Sequence, residues 1–209
     1  MEALFFCGVP IGCVMTYGLV LDSKRRTRDL ERHRAGWSGY AGDRGLRYST
    51  AGYRFSLRVD HRIEGSVDGV PVLCSTDLSI LSMPTTTIAA RAAVPIDGRL
   101  YVSCAEVFSQ AQEDLRAKRV ELPDADFNGG TFFVHATDPS LVDAVLLPHV
   151  RALLMRMSEA GRQSLNFRCD RDTVVVAWRG HDPLPDLLDL GKRLLVATCR
   201  ARTSVAAYR

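Results

Sequence analysis

The 209-residue sequence lacks a strong net charge, since 27 basic side chains face 24 acidic ones. A formal charge of +3 gives no bulk attraction to the phosphates of nucleic acid. Residues 35–209 hold 21 basic and 20 acidic side chains, so most of the chain is almost neutral. Low-complexity tracts and short repeats are also missing, and 46% hydrophobic content is typical of a folded protein. We therefore expect about one globular domain and no nucleic-acid partner.

Sequence signatures of common enzymes and metal sites are absent as well. The chain has no G-x-x-x-x-G-K-[ST] phosphate loop, no G-x-S-x-G nucleophile elbow and no H-E-x-x-H zinc motif. Its six cysteines include no C-x-x-C pair. Buried thiols are the expected state, because cysteine packs well as a small apolar side chain. We predict no cofactor and no metal.

Charge is missing altogether between Ala3 and Leu21. As a helix, these nineteen residues would rise about 28 Å, close to the roughly 30 Å thickness of the hydrocarbon core of a bilayer. Glycine and proline inside the run are tolerated in membrane helices because neighbouring groups satisfy the freed backbone atoms. The run predicts a retained transmembrane anchor over residues 1–22.

Other interpretations of this segment stay open. A cleaved signal peptide lacks a basic n-region and an A-x-A-like site here. A lipoprotein signal would be acylated on Cys13, with Pro10 at a position that leucine usually occupies. A soluble buried helix is a third alternative. Gly8 and Gly12 form a G-x-x-x-G pair, a pattern compatible with a homo-oligomer.

A basic cluster follows the uncharged run. Residues 24–34 contain six basic and two acidic side chains, a local net charge of +4. Positive flanks stay in the cytoplasm, so we expect the N-terminus outside and the remaining chain inside a bacterial inner (cytoplasmic) membrane. Contact with the lipid surface is predicted for Lys24, Arg25, Arg26 and Arg28.

Residues 51–209 are predicted to form an α+β domain with a mainly antiparallel sheet and two or three helices. Apolar and polar residues alternate over 53–59, which predicts a strand. Further strands are expected over 85–94, 100–103 and 131–136. Residues 165–178 predict a hairpin. Hairpins outnumber alternating strand–helix units, which favours the α+β class.

Turn and helix signals complete this expectation. Asp68-Gly69 predicts a turn, and Pro71 places the following strand at an edge or a bulge. Asp138 and Pro139 predict a helix start, which Pro148 kinks or restarts. An amphipathic pattern over 187–199 predicts the last helix. A further helix is expected over 104–115. The glycine-rich segment within 23–50 is predicted as a basic juxtamembrane region and linker.

The strongest candidates for chemistry lie between the strand 131–136 and the helix at 139. Here His135, Asp138 and Asp126 offer a base and two carboxylates close together in sequence. His61 and His181 are expected to be solvated, because they stand at a strand end and in a loop.

Three stretches carry a family resemblance: "RFSLRVDHRIEGSVDGVPV", "DADFNGGTFFVHATDP" and "LLPHVRALL". From Tyr48 onward the chain resembles a family of uncharacterised bacterial membrane-anchored proteins. That resemblance implies one or two N-terminal spans before a cytoplasmic α+β domain, and it assigns no catalytic residue.

Two functions follow as hypotheses. The first is a non-enzymatic, single-span membrane protein whose domain binds a protein partner or mediates assembly. The second is a membrane-tethered enzyme that uses His135, Asp138 and Asp126. Membrane lipid is an expected partner under either hypothesis.

The predicted topology is tested by fusing a reporter to the C-terminus of the full chain. We expect a reporter that works only in the cytoplasm to be active, because the +4 cluster holds its side of the span inside. Replacing Lys24, Arg25, Arg26 and Arg28 with glutamine should reduce that activity. A reporter active only outside the cytoplasm would contradict the orientation.

Overall fold

The computed structural model describes residues 28–51, 60–77, 84–104, 116–122, 127, 131–160 and 164–207. The strands of this part are β1 Arg47–Ala51, β2 Asp60–Val67, β3 Val70–Asp77, β4 Thr85–Arg91, β5 Arg99–Ser103, β6 Lys118–Arg119, β7 Phe133–Ala136, β8 Asn166–Asp170 and β9 Thr173–Arg179. Its helices are α1 28–42, α2 Ser140–Val145, α3 Pro148–Glu159 and α4 Pro185–Ala207.

The described strands form one sheet in the order β1-β2-β3-β4-β9-β8-β5-β7-β6. Every neighbouring pair in it is antiparallel. The predicted α+β class with a mainly antiparallel sheet is confirmed, and the described sheet is large and accompanied by a few helices. The hairpin expected over 165–178 is present as β8 and β9, with Asp170 opposite Thr173.

The core lies between one face of the sheet and the helices. Along β9, Val174, Val176 and Trp178 are buried and alternate with less buried residues. Such alternation places every second side chain on one face of the strand. Helix α4 covers this face with a buried stripe that includes Leu188 and Leu195, and α3 packs against α4.

Gly191 sets how closely α4 approaches the sheet. A Cβ atom at this position would lie 2.6 Å from the Ile88 Cδ1 atom on β4. It would also lie 3.5 Å from side-chain atoms of Val176 and Met157. Since real Cβ atoms keep a larger separation than 2.6 Å, a side chain here would push α4 away from β4.

The turn at Asp68 and Gly69 joins β2 to β3 as predicted. Both residues have positive φ angles, 49° and 80°, the geometry of a two-residue type I′ hairpin. Pro71, however, does not mark an edge strand, because β3 lies between β2 and β4. The pairing of β3 with β4 begins only at Val72, so Pro71 lies where β4 requires no N–H donor.

The predicted linker is corrected by the structure. Residues 28–42 form α1, and Trp37, Tyr40 and Ala41 from this helix are part of the core. Their spacing is that of one helical face. Gly45, with φ of 62°, ends the segment: the Leu46 N–H donates to the Ala41 carbonyl, as in a Schellman cap.

Helices α2 and α3 begin close to their predicted positions. Asp138 accepts a hydrogen bond from the Ser140 N–H at 2.9 Å, which satisfies a free donor at the start of α2. The helix itself begins at Ser140, one residue after the predicted first position Pro139. Pro148 opens α3 as a new helix, where proline needs no N–H partner.

Some sequence predictions lie outside the described residues. These are the anchor over 1–22, the strand over 53–59 and, from 105 onward, the helix over 104–115. Within the described residues, no helix combines the length and apolar character that crossing a bilayer requires.

The Asp189 carboxylate on α4 joins α1 to the rest of the domain. It accepts hydrogen bonds from the Tyr40 hydroxyl at 2.8 Å and Arg44 Nε at 2.9 Å. The Lys192 ammonium lies 3.0 Å from the same carboxylate. Burial raises the pKa of Asp189, but the hydrogen bonds from Arg44, Lys192 and Tyr40 outweigh it and leave the pKa well below its ordinary value. The carboxylate therefore stays ionised in the folded protein.

Replacing Asp189 with alanine is expected to lower the free energy of unfolding by about 2–3 kcal/mol, because Tyr40 and Lys192 stay buried without their acceptor. Thermal or denaturant unfolding of the full chain measures this loss. Asp186→Ala is the control, since this exposed carboxylate in the first turn of α4 contributes under about 1 kcal/mol. Equal losses in the two variants would contradict the assigned role.

Candidate functional site

The structure does not assemble the predicted site at the end of β7. Asp126 lies outside the described residues. His135 pairs with Tyr101 and Arg119 across the sheet, and its neighbours Val134 and Ala136 point into the core. Alternation therefore directs the His135 side chain to the opposite face.

Asp138 lies beside a cleft of about 400 Å³. In the described part of the chain, the residues lining this cleft include Asp97, Asp138 and Arg202, but not His135. Arg202 as a whole is only 2% exposed. It donates to the carbonyls of Val94, at 2.7 Å, and Arg171. The Arg202 cation thus holds the loops at Val94 and Arg171 against α4. Among the described residues that line the cleft, no acid–base pair is assembled.

The cysteines of the described chain behave as packed thiols. Cys74, Cys104, Cys169 and Cys199 are free, and all but Cys104 are buried. Burial raises the pKa of Cys74 to about 12 and that of Cys169 to about 11. A nucleophilic cysteine needs a lowered pKa. The expectation of buried thiols agrees with the structure for Cys74, Cys169 and Cys199, whereas Cys104 is only partly buried.

A different group of side chains meets where α1 faces the loop between β9 and α4. His33 from α1 and His181 from the loop have ring centroids 4.3 Å apart. Their Nε2 atoms are 3.2 Å apart, and the Asp182 Oδ1 atom is 3.4 Å from His33 Nδ1. We call His33, His181 and Asp182 the histidine cluster.

Two contacts of α1 position the histidine cluster. The Trp37 indole N–H donates to the main-chain carbonyl of His181 at 3.0 Å. Gly36 faces Pro183, whose Cγ atom would lie 2.7 Å from a Cβ atom at Gly36. Glycine at position 36 lets α1 approach the loop closely. The buried Trp37 indole, through its hydrogen bond, fixes the distance between α1 and the loop.

His61 lies beneath the cluster and is 1% exposed, so the predicted solvated state is wrong. Its ring stacks on Trp37 with centroids 5.7 Å apart, and its Nδ1 atom is 2.8 Å from the Tyr48 hydroxyl. Burial is the main cause that lowers the pKa of His61 to about 4, and the nearby His33, His181 and Arg34 contribute to the same shift. The sequence pattern missed this because the covering Trp37 comes from the predicted linker.

His33 is also held in its neutral form. Burial is the main cause that lowers its pKa, and His181 adds to the effect. Asp182 and Asp29 act in the opposite direction without reversing the shift. Neutral imidazole is the form that binds metal ions. The histidine cluster is therefore a group of ligand-type side chains that the sequence patterns did not indicate.

Comparison with known proteins provides one structural likeness. No family model and no curated protein matches the chain. The crystal structure of the mycobacterial trehalose monomycolate transport factor A, TtfA, is similar, with a TM-score of 0.58 and 13% sequence identity. The match covers 83% of this chain and 94% of that chain. At this identity the likeness shows a shared fold, and the family resemblance drawn from sequence motifs stays a prediction.

The buried His61 predicts a loss of stability in mild acid. Its folded pKa of about 4 lies below the ordinary value of 6.5, so protonation favours the unfolded chain. The contribution is complete above about pH 6.5 and decreases as the pH falls toward 4, by about 2 kcal/mol between pH 7 and pH 5.

Denaturant unfolding at several pH values checks this dependence. His61→Gln keeps a polar side chain without a titrating ring, and we expect its stability to vary less over this range. His149→Gln, at an exposed position of α3, should behave like the unaltered chain. Parallel pH profiles for His61→Gln and the unaltered chain would contradict the prediction.

Proposed function

We propose that the chain is a non-enzymatic, membrane-anchored accessory protein whose α+β domain assembles with a membrane transport system. The observation that carries the proposal is the fold likeness to TtfA over 83% of this chain and 94% of that chain. That protein is a trehalose monomycolate transport factor. The share of both chains that matches supports a comparable role for the whole domain.

The sequence around the N-terminus supports the membrane part of this proposal. The uncharged run over 3–21 and the +4 cluster over 24–34 favour one span, with the N-terminus outside and the domain in the cytoplasm. Helix α1 continues this basic segment into the core, since Arg28 and Trp37 belong to the same helix. The domain would then lie close to the cytoplasmic surface of a bacterial inner membrane, where transport proteins are accessible.

The use of charged groups supports a non-enzymatic role. The described buried charges hold elements together: Arg202 binds loop carbonyls, and Lys192 pairs with Asp189. His135 and Asp138, the described members of the predicted acid–base site, do not line one cleft. An interaction module needs a stable surface and no such site.

Affinity purification of the full chain from bacterial membranes in mild detergent tests the proposal. We expect quantitative mass spectrometry to find a multi-span transport protein enriched with it. In a control chain, an unrelated transmembrane segment replaces residues 1–22. The same partner should be retained, because the domain provides the contact.

Two results would contradict the proposed function. One is recovery of no partner other than further copies of the chain. The other is substrate turnover by the purified protein that disappears in the variants His135→Ala and Asp138→Asn, which would favour the enzyme hypothesis.

A further inference from the structure

The facing nitrogen atoms of His33 and His181 have the separation of two ligands on one metal ion. Their Nε2 atoms are 3.2 Å apart, although the residues are 148 positions apart in sequence. Zinc binds imidazole nitrogen at about 2.0–2.1 Å in tetrahedral geometry, which places two such nitrogens about 3.3 Å apart. The pair therefore needs little rearrangement to share an ion.

Asp182 supplies the carboxylate that commonly orients a metal-binding histidine. Its Oδ1 atom, 3.4 Å from His33 Nδ1, attracts the proton of that nitrogen. The tautomer with hydrogen on Nδ1 leaves the Nε2 lone pair of His33 directed at His181. A carboxylate behind the ligand histidine fixes the ring and increases its basicity.

The backbone around the histidine cluster is restrained before any ion arrives. The Trp37 indole binds the His181 carbonyl, and Gly36 brings α1 against Pro183. Asp189 fixes the same helix further along through Tyr40. A site assembled in this way loses little conformational freedom when it binds an ion.

The cluster is also accessible to an ion from solvent. The side chain of His33 is 21% exposed and that of Asp182 is 59% exposed. Water can therefore occupy the coordination positions that the two imidazoles leave open. The candidate ligand atoms of the three residues all lie within 4.8 Å of one another.

We propose that His33 and His181 bind a divalent transition-metal ion of the zinc, nickel or copper class through their Nε2 atoms, with Asp182 orienting His33. Imidazole ligands suit these ions, whereas magnesium and calcium prefer oxygen. Without metal, the Nε2 proton of one ring bonds the other ring. Binding moves that proton to Nδ1 of His181 through solvent, so both rings stay neutral and no proton is released.

The ion would connect α1 to the loop that precedes α4. Since an ion that binds only the folded chain stabilises it by mass action, the melting temperature should rise with metal concentration. This site is independent of the proposed transport function, because it requires only the contacts of the cluster.

Metal titration of the detergent-purified full chain, prepared without a histidine tag, tests the proposal. We expect zinc to bind saturably at one ion per chain and to raise the melting temperature. His33→Gln and His181→Gln should each weaken binding by about 10-fold or more, and Asp182→Asn by about 10-fold. His149→Ala, at an exposed position of α3, should leave binding unchanged.

Copper provides a readout that does not depend on the folding of variants. Electron paramagnetic resonance of Cu²⁺ on the unaltered chain should show two coordinated imidazole nitrogens. Absence of saturable binding, or a copper spectrum without nitrogen coupling, would overturn the proposal. Undiminished zinc binding by a folded variant with both His33→Gln and His181→Gln would also overturn it.

Discussion

The position of α1 depends on the carboxylate of Asp189. This group holds Tyr40, Arg44 and Lys192 at once, and two of these side chains are buried. Charge-assisted hydrogen bonds of this kind specify direction as well as attraction. Through Tyr40 they tie α1 to α4, and α1 is the helix that places Trp37 in the core and His33 beside the loop. The candidate site is therefore a consequence of a contact that lies outside it.

Packing against the sheet reinforces this arrangement. Helix α4 reaches β4 closely because Gly191 has no side chain, and the same helix carries Asp189. The sheet thus positions α4 through the close approach at Gly191, and α4 in turn positions α1 through the hydrogen bond between Asp189 and Tyr40. His61 on β2 closes the series, since its stacking on Trp37 joins α1 directly to the sheet. A buried neutral imidazole fits this position because its Nδ1 atom has a partner in the Tyr48 hydroxyl, while the main-chain N–H of His61 donates to the Thr76 hydroxyl.

Local sequence signals predicted much of the sheet and little of the candidate site. The Asp68-Gly69 turn and the β8–β9 hairpin depend on residues close in sequence, so their patterns are visible without the fold. The Gly-rich composition of 35–45 concealed α1, although Trp37, Tyr40 and Ala41 have helical spacing. His33 and His181 meet only after the whole domain has folded. No short sequence pattern indicates a contact between residues so far apart. His135, Asp138 and Asp126, in contrast, were predicted as a site only because they are close together in sequence.

Helix α1 runs without a break from Arg28 into the core, so it fixes the orientation of the domain relative to Arg28. The buried Trp37 follows Arg28 by only nine positions, a helical rise of about 14 Å. Within that length the chain has no hinge about which the sheet can swivel. Any structure that holds Arg28 therefore also sets the direction in which the sheet faces. A partner that lies beside the structure holding Arg28 would therefore face only one side of the domain. The orientation of α1 limits its approach before any specific contact forms.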